Sequence, residues 1–242
     1  MRYICTIFFF IAIIACKKSN PVSNNEVFMP ETPPVTNHDS SSKHFKYLAL
    51  GDSYTIGHGV PSQENYPNQT ISLLQKDSLF GEVKIIATTG WTTFNLTTAI
   101  EADQTLSPDY DIVSLLIGVN NQYQEIDINK YKPSFEELLK KALFFSGSRP
   151  HNVIVLSIPD WGVTPFAGNR DKAAIAKEID EYNAINKSVS DKYGVAYIDI
   201  TPWTREAAQN PTLLATDGLH PSGKEYARWS QKIAEIVKGI LR

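Results

Sequence analysis

Short apolar runs alternate with longer amphipathic stretches from Lys46 to the carboxyl terminus, and this alternation constrains the fold more than any other feature of the sequence. The pattern is typical of parallel strands joined by crossover helices. Because the apolar runs are rich in Val, Ile and Leu and do not alternate regularly with polar residues, we expect strands that are covered on both faces. The predicted strands comprise residues 47–50, 83–87, 112–117, 153–158 and 195–200.

The stretches between and after these strands have the periodicity of helices. Ser222, with Glu225 three residues later, predicts a capping box at the start of the last helix. The alternation as a whole predicts an α/β fold, a three-layer α/β/α sandwich whose ligands bind at the carboxyl ends of five parallel strands. The apolar positions at helical spacing are Phe135, Leu138, Leu139, Ala142 and Leu143, then Ile175, Ile179, Tyr182, Ile185 and Val189, and finally Tyr226, Trp229, Ile233, Ile236 and Ile240.

The amino terminus has the layout of an export signal. One positive charge at Arg2 is followed by an apolar run and small residues, which predicts a secretory signal peptide. The run is about a dozen residues long, shorter than the roughly 20 needed to cross a bilayer, so a retained transmembrane anchor is the weaker interpretation. Residues 13–16, Ile-Ile-Ala-Cys, resemble the lipobox of bacterial lipoproteins. That resemblance implies cleavage after residue 15, a diacylglyceryl group on Cys16 and a location in the bacterial cell envelope, either periplasmic or on the outer membrane.

The segment after Cys16 contains four prolines, many Ser and Asn residues and no apolar periodicity. It cannot bury enough surface to fold, so we interpret it as a flexible tether. The predicted organisation is therefore a lipoprotein signal peptide (1–15), a lipidated cysteine with its disordered tether (16–44) and one folded domain (45–242). The sequence leaves the oligomeric state open.

Composition excludes several classes of function. The formal net charge of −3 provides no basic surface for a polyanion, so nucleic acid is not an expected partner. The two cysteines, Cys5 and Cys16, both lie in the first segment, which excludes a disulfide framework or thiolate metal site in the domain. The chain also has no His-Glu-x-x-His motif and no carboxylate cluster with metal-ligand spacing. We therefore expect no metal and no cofactor.

Polar residues follow each predicted strand. Ser53 comes after the first, Gly90 after the second and Asn120 after the third, while Asp217 and His220 lie three residues apart in the last loop. Parallel strands end at one edge of the sheet, so these residues are expected to converge. A serine hydroxyl becomes a nucleophile when a histidine takes its proton, and an acid can orient that histidine. The backbone N–H groups of Ser53 and Gly90 and the side-chain amide of Asn120 are candidate donors to an oxyanion.

These residues match the blocks of a known family. Residues 51–53 with Gly57, then Gly90, then residues 118–120, and then residues 217–221 resemble the four blocks of the SGNH or GDSL hydrolases in order and spacing. The resemblance covers the chain from about Lys46 to its end. It implies a flavodoxin-like sandwich, Ser53 as nucleophile, His220 as general base and acid, and Asp217 as its orienter. It also implies an oxyanion hole built from Ser53, Gly90 and Asn120. One position departs from the pattern, since Asn121 stands where the family commonly has Asp.

Some residues near the predicted site remain ambiguous. Four aromatic residues are candidates for a substrate-binding wall, with ordinary core or rim packing as the alternative: Trp91, Trp161, Phe166 and Trp203. Asp52 is interpreted as support for the turn before the first helix. His58 is interpreted as a solvated loop residue, with contact to substrate as the alternative.

The function predicted from the sequence is hydrolysis of carboxylic esters by an envelope-anchored serine hydrolase. Within this class, we expect the enzyme to remove short acyl groups such as O-acetyl. The substrate would be a small-molecule, glycan or lipid ester. A lysophospholipase or thioesterase acting on lipid esters is one alternative. Another is a non-catalytic, flavodoxin-like binding lipoprotein whose first loop holds a phosphate, but this gives no reason for Asp217 and His220.

Overall fold

A five-stranded parallel sheet in the order β2-β1-β3-β4-β5 forms the centre of the protein, in a computed structural model that describes residues 42–242. Every neighbouring pair of strands is parallel. The predicted three-layer sandwich with five parallel strands is confirmed. The strands are β1 (Lys43–Gly51), β2 (Leu79–Ala87), β3 (Ile112–Leu116), β4 (Val153–Leu156) and β5 (Ala196–Ile198).

The two longest strands begin earlier than the apolar pattern predicts. β1 and β2 pair in register from Lys43 with Leu79 onward, although their first residues are largely exposed. Backbone hydrogen bonding thus extends the sheet beyond the part that is covered on both faces. The predicted domain boundary at residue 45 consequently lies inside β1. By contrast, all residues of β3 and β4 are buried, in agreement with their apolar sequences.

Helices cover both faces of the sheet. The first crossover helix, α2, packs against the last helix, α8, while α3, α5 and α6 pack in sequence against one another. This division follows from right-handed crossovers, because the chain moves outward from β1 to β2 and then in the opposite direction through β3, β4 and β5. The helices are α1 (Ser53–Ile56), α2 (Tyr66–Gln75), α3 (Thr93–Ala102), α4 (Val119–Tyr123), α5 (Ile128–Phe145), α6 (Lys172–Tyr193), α7 (Thr201–Arg205) and α8 (Gly223–Leu241).

The start of α8 has one of the two hydrogen bonds of the predicted capping box. Ser222 is the N-cap, and its side chain accepts a hydrogen bond from the N–H of Glu225. The Glu225 carboxylate does not return to Ser222, because it is buried and accepts hydrogen bonds from Trp229 Nε1 and Arg228 Nη1. The N–H of Ser222 instead donates to the carbonyl of Leu213. The helix therefore begins where predicted, with Glu225 used for packing.

The predicted signal peptide, the lipidation site Cys16 and the tether up to residue 41 lie outside the described residues. Within residues 42–242, no helix combines the length and the apolar character that crossing a bilayer requires.

Candidate active site

Ser53 lies at the point where β1 ends and α1 begins. Asp52 caps this short helix, its Oδ1 accepting a hydrogen bond from the N–H of Tyr54 at 3.0 Å. Gly57 ends it in the left-handed conformation, with φ of 83°. The tight turn places the largely buried Ser53 at the carboxyl edge of the sheet.

A pocket of about 110 Å³ opens at this edge, as the sequence predicts. Residues from five separate loops contribute to it, because each parallel strand delivers the chain to the same edge. The lining residues are Ser53, Tyr54, Thr89, Gly90, Val119, Asn120, Tyr123, Trp161, Phe166, Leu219 and His220.

Asp217 and His220 form a hydrogen-bonded pair in the loop before α8. His220 Nδ1 lies 2.6 Å from Asp217 Oδ2. The other carboxylate oxygen, Oδ1, accepts the N–H groups of Leu219 and His220, both at 3.0 Å. Gly218, with φ of 68°, provides the turn that allows these contacts. The carboxylate therefore fixes both the loop and the orientation of the imidazole, leaving Nε2 as the ring nitrogen that does not face Asp217.

The His220 imidazole is packed between two other rings. Its centroid lies 5.0 Å from that of Tyr54 and 4.6 Å from that of His58, and its side chain is only 6% exposed. Burial lowers the pKa of His220 below its usual value of 6.5, and the attraction of Asp217 opposes this only in part. The positive form of His58 lowers the pKa further. His220 is thus neutral, and able to accept a proton, near neutral pH.

Asp217 is held in its ionised form. Partial burial would raise the pKa of its carboxyl, but hydrogen bonds from the His220 ring and from two backbone N–H groups outweigh this and lower the pKa below 3.8. The pair therefore consists of a carboxylate and a neutral imidazole at neutral pH.

Ser53 and His220 line the same pocket, and no hydrogen bond joins Ser53 Oγ to the imidazole within the described residues. In the absence of substrate such nucleophile–base contacts are often longer than those in the reacting complex.

The candidate oxyanion donors surround the same space. Gly90 has φ of 84°, and a Cβ placed there would meet no atom within 4 Å, so its backbone faces open pocket. Asn120 Nδ2 donates to the carbonyl of Trp91 at 3.0 Å and approaches Asp52 Oδ2 at 3.4 Å. These contacts hold the amide at the pocket wall, and the longer one is weak enough to be exchanged for a bond to substrate.

Asp52 does more than support the turn. Its side chain is fully buried, and burial raises the pKa of its carboxyl from 3.8 to about 7. Hydrogen bonds from Tyr54 and Asn120 offset only part of this effect. The sequence does not reveal this role, because the contact between Asp52 and Asn120 joins residues that are 68 positions apart in the chain.

Asn121 stands where the family commonly has Asp, and it forms hydrogen bonds to Thr93. Its Oδ1 accepts the N–H of Thr93 at 3.0 Å, and its Nδ2 donates to Thr93 Oγ1 at 2.9 Å. The amide thus connects the start of α3 to α4, next to the candidate oxyanion residue Asn120.

Of the four aromatic residues predicted near the site, Trp161 and Phe166 line the pocket, whereas Trp203 does not. Trp161 Nε1 donates to Gln122 Oε1 at 2.7 Å, and the Trp161 ring meets those of Tyr123 and Phe166 edge-on. Trp91 instead packs against the core, and it contributes its carbonyl to Asn120.

His58 lies closer to the site than its interpretation as a solvated loop residue indicates. Its Nδ1 is 2.9 Å from Thr89 Oγ1, and its Nε2 is 3.9 Å from Asp217 Oδ2. With His220, these residues place three possible metal ligands within 4.8 Å of one another. The 2.6 Å contact between Asp217 and His220 is a hydrogen-bond distance and is too short for two separate ligands of a tetrahedral ion.

Comparison with protein families gives a match over most of the chain. The model of the GDSL-like Lipase/Acylhydrolase family matches residues 49–228. The chain belongs to this family. It is accordingly a carboxylic ester hydrolase, as the four sequence blocks imply. A search of curated proteins found no match.

Solved structures of similar fold include acetyl xylan esterases and a lipase/acylhydrolase. Axe2, an acetylxylan esterase from Geobacillus stearothermophilus, has a TM-score of 0.61 at 19% identity, over 80% of this chain and 94% of that chain. The lipase/acylhydrolase from Enterococcus faecalis has a TM-score of 0.63 at 19% identity, over 82% and 97%. The acetyl xylan esterase AlAXEase has a TM-score of 0.63 at 18% identity, over 79% and 98%. At these identities the likeness supports the fold.

Proposed function

We propose that the protein removes short acyl groups, such as O-acetyl, from its substrates through an acyl-enzyme on Ser53. The observation that carries this proposal is the hydrogen bond between Asp217 and His220, in a loop that lines the same pocket as Ser53. A buried neutral imidazole and a serine hydroxyl that line one pocket are the pair of groups that nucleophilic catalysis requires.

In the first step, Ser53 Oγ bonds to the ester carbonyl carbon while its proton passes to His220 Nε2. Asp217 stabilises the imidazolium that results, and the N–H groups of Ser53 and Gly90 with the Asn120 amide bind the oxyanion. Collapse breaks the bond to the alcohol, which leaves with the proton from His220. Water then attacks the acyl-enzyme by the same sequence of proton transfers and releases the carboxylic acid.

Two features support a short acyl group. The cavity has a volume of about 110 Å³, below the roughly 300 Å³ at which ligand sites usually begin, and both the acyl and the alcohol portions must share it. In addition, two of the proteins with a similar fold are acetyl xylan esterases. A lipid ester or thioester remains the alternative, and a panel of 4-nitrophenyl esters of increasing chain length tests it. Activity that rises with chain length would overturn the acetyl preference.

The catalytic assignment is tested by Ser53→Ala. We expect the variant to fold normally, to lose turnover of 4-nitrophenyl acetate and to escape labelling by a fluorophosphonate. Labelling or full turnover in the variant would assign the nucleophile to another residue. The same labelling separates the hydrolase from the non-catalytic binding protein, which the family membership already disfavours.

We also propose that Cys16 anchors the protein in the bacterial cell envelope. The support is the sequence of residues 1–16, with Arg2, the apolar run and the lipobox-like residues 13–16. Cys16→Ser should release the protein from the membrane fraction. A variant that still sediments with membranes would contradict the anchor.

A further inference from the structure

Arg170 lies beside the pocket on a wall of three aromatic rings. Its guanidinium carbon is 5.5 Å from the ring centroids of Trp161 and Phe166 and 5.7 Å from that of Tyr123. All three rings line the pocket. The arginine therefore places a permanent positive charge next to the cavity that contains Ser53.

The charge of Arg170 has no carboxylate partner in the described part of the chain. Arg205 and Arg228, by comparison, each form two salt bridges. The adjacent Asp171 is engaged elsewhere, because its carboxylate caps α6 by accepting the N–H groups of residues 173 and 174. Within residues 42–242, the guanidinium of Arg170 thus has no carboxylate oxygen within 4.0 Å.

The guanidinium is nevertheless held in place. Its Nη1 donates to the carbonyls of Phe166 at 3.0 Å and Ala167 at 3.4 Å. The hydrogen bonds of the described residues do not use Nε or Nη2 of Arg170. A planar guanidinium that is fixed at one nitrogen and stacked on rings retains donors in the geometry that suits a carboxylate.

Two of the three rings are exposed to solvent. Tyr123 and Phe166 are each 41% exposed, whereas Trp161, which lies behind them, is 4% exposed. An exposed aromatic pair at the mouth of a catalytic pocket is suited to contact a ring of the substrate.

We propose that Arg170 determines specificity by binding a carboxylate on the alcohol portion of the ester. The preferred substrates are then short acyl esters of ring-shaped, acidic alcohols, of which an acetylated acidic sugar is one kind. This inference rests on the proposed function, since it assigns the alcohol side of the same pocket. Arg170 binds and orients the substrate and takes no part in the proton transfers.

The test compares a charged ester with a neutral ester of nearly the same shape, 3-acetoxybenzoate and its methyl ester. In Arg170→Gln we expect KM for 3-acetoxybenzoate to rise by about ten- to a hundredfold with kcat nearly unchanged, because a charge-assisted contact is lost. KM for the methyl ester should stay the same. Arg170→Lys should retain part of the preference, since it keeps the charge and loses the planar fork.

Arg149→Gln is the matched control. Arg149 also lacks a salt bridge in the described residues. It lies before β4, at the opposite edge of the sheet, and its guanidinium donates to the carbonyls of Ser146 and Tyr110. This variant should leave both esters unaffected. If Arg170→Gln slows the two esters equally, Arg170 merely supports the loop, and the proposal is overturned.

A binding measurement separates this proposal from the proposed reaction. Calorimetry of 3-hydroxybenzoate with Ser53→Ala needs no turnover, and introducing Arg170→Gln into that variant should weaken binding by the same factor. Unchanged binding would overturn the role of Arg170 even in an active esterase. If Arg170→Gln weakens binding but the wild-type protein hydrolyses neither ester, the binding role of Arg170 is supported and the proposed reaction is refuted.

Discussion

His58 Nε2 lies 3.9 Å from Asp217 Oδ2, the same oxygen that accepts the hydrogen bond from His220 Nδ1. Two imidazoles therefore face one carboxylate. Because the rings of His58 and His220 are also 4.6 Å apart, a proton on His58 opposes a proton on His220.

His58→Gln should move the acid limb of kcat/KM to higher pH. Activity requires neutral His220, so it is lost as pH falls through the pKa of that residue. Removal of the positive charge of His58 raises that pKa, and the variant loses activity at a higher pH than the wild type does. The measurement is a kcat/KM profile with 4-nitrophenyl acetate. His151→Gln is the control, since His151 lies before β4 at the opposite edge of the sheet. A shift to lower pH, or an equal shift in both variants, would contradict the assignment.

Asp217→Asn should lower kcat by about a hundred- to ten-thousandfold, because an amide can present a donor to His220 Nδ1 and can stabilise the wrong tautomer. The fold should persist, since the Asn Oδ1 can still accept the N–H groups of Leu219 and His220. Steady-state kinetics and thermal unfolding of the same samples separate the two effects. An active variant would show that His220 is oriented by other contacts.

Asp52→Asn should remove part of the pH dependence of stability. The Asp52 pKa is about 7 in the folded protein against 3.8 for the free side chain, so its contribution to stability is fully present below 3.8 and is lost as pH rises through about 7. The loss is on the order of 4 kcal/mol over that interval. An Asn side chain does not titrate. Urea unfolding at several pH values should therefore give a flatter curve for the variant, whatever its absolute stability, and equal slopes would refute the raised pKa.

Gly59→Ala should reduce activity more than its effect on folding explains. The residue has φ of 86°, and a Cβ there would lie 3.1 Å from Asp217 Oδ2 and 2.9 Å from the Cβ of Ala215. Asp217 must shift to relieve this contact, which disturbs its bond to His220. Gly194→Ala is a matched control, because Gly194 also has positive φ, 65°, but has open space around it. Both variants should lose about 1–2 kcal/mol of stability.

The free energy of unfolding and kcat/KM are measured for both Gly59→Ala and Gly194→Ala. Only Gly59→Ala should lose turnover. If both variants retain full turnover, the loop around Asp217 tolerates the added methyl group, and its geometry is less critical than the contacts indicate.

The sequence predicts the buried parts of the fold well. β3 and β4 are covered on both faces, so their apolar runs identify them, and their predicted starts at residues 112 and 153 match the structure. The early residues of β1 and β2 include the exposed Lys43, His44 and Glu82, which take part in the backbone pairing of the two strands. No hydrophobic pattern marks such residues, and this is why both strands are predicted too short.

The site is predictable where one residue type has one chemical use. Ser53 and His220 stand out because they occur at the ends of predicted elements and match a family in order. The contributions of Tyr123, Phe166 and Arg170 were not predicted as a set, because they meet only when α4 packs beside the turns that follow β4. Contacts of that kind depend on how separate loops pack, which periodicity does not encode.

The direction of β1 has a consequence for how the domain is presented to its surroundings. The chain enters the sheet at Lys43 and reaches the carboxyl edge, where the pocket lies, only at Gly51, eight residues later and roughly 26 Å away. The first residue of the sheet and the catalytic opening thus lie at opposite ends of one strand.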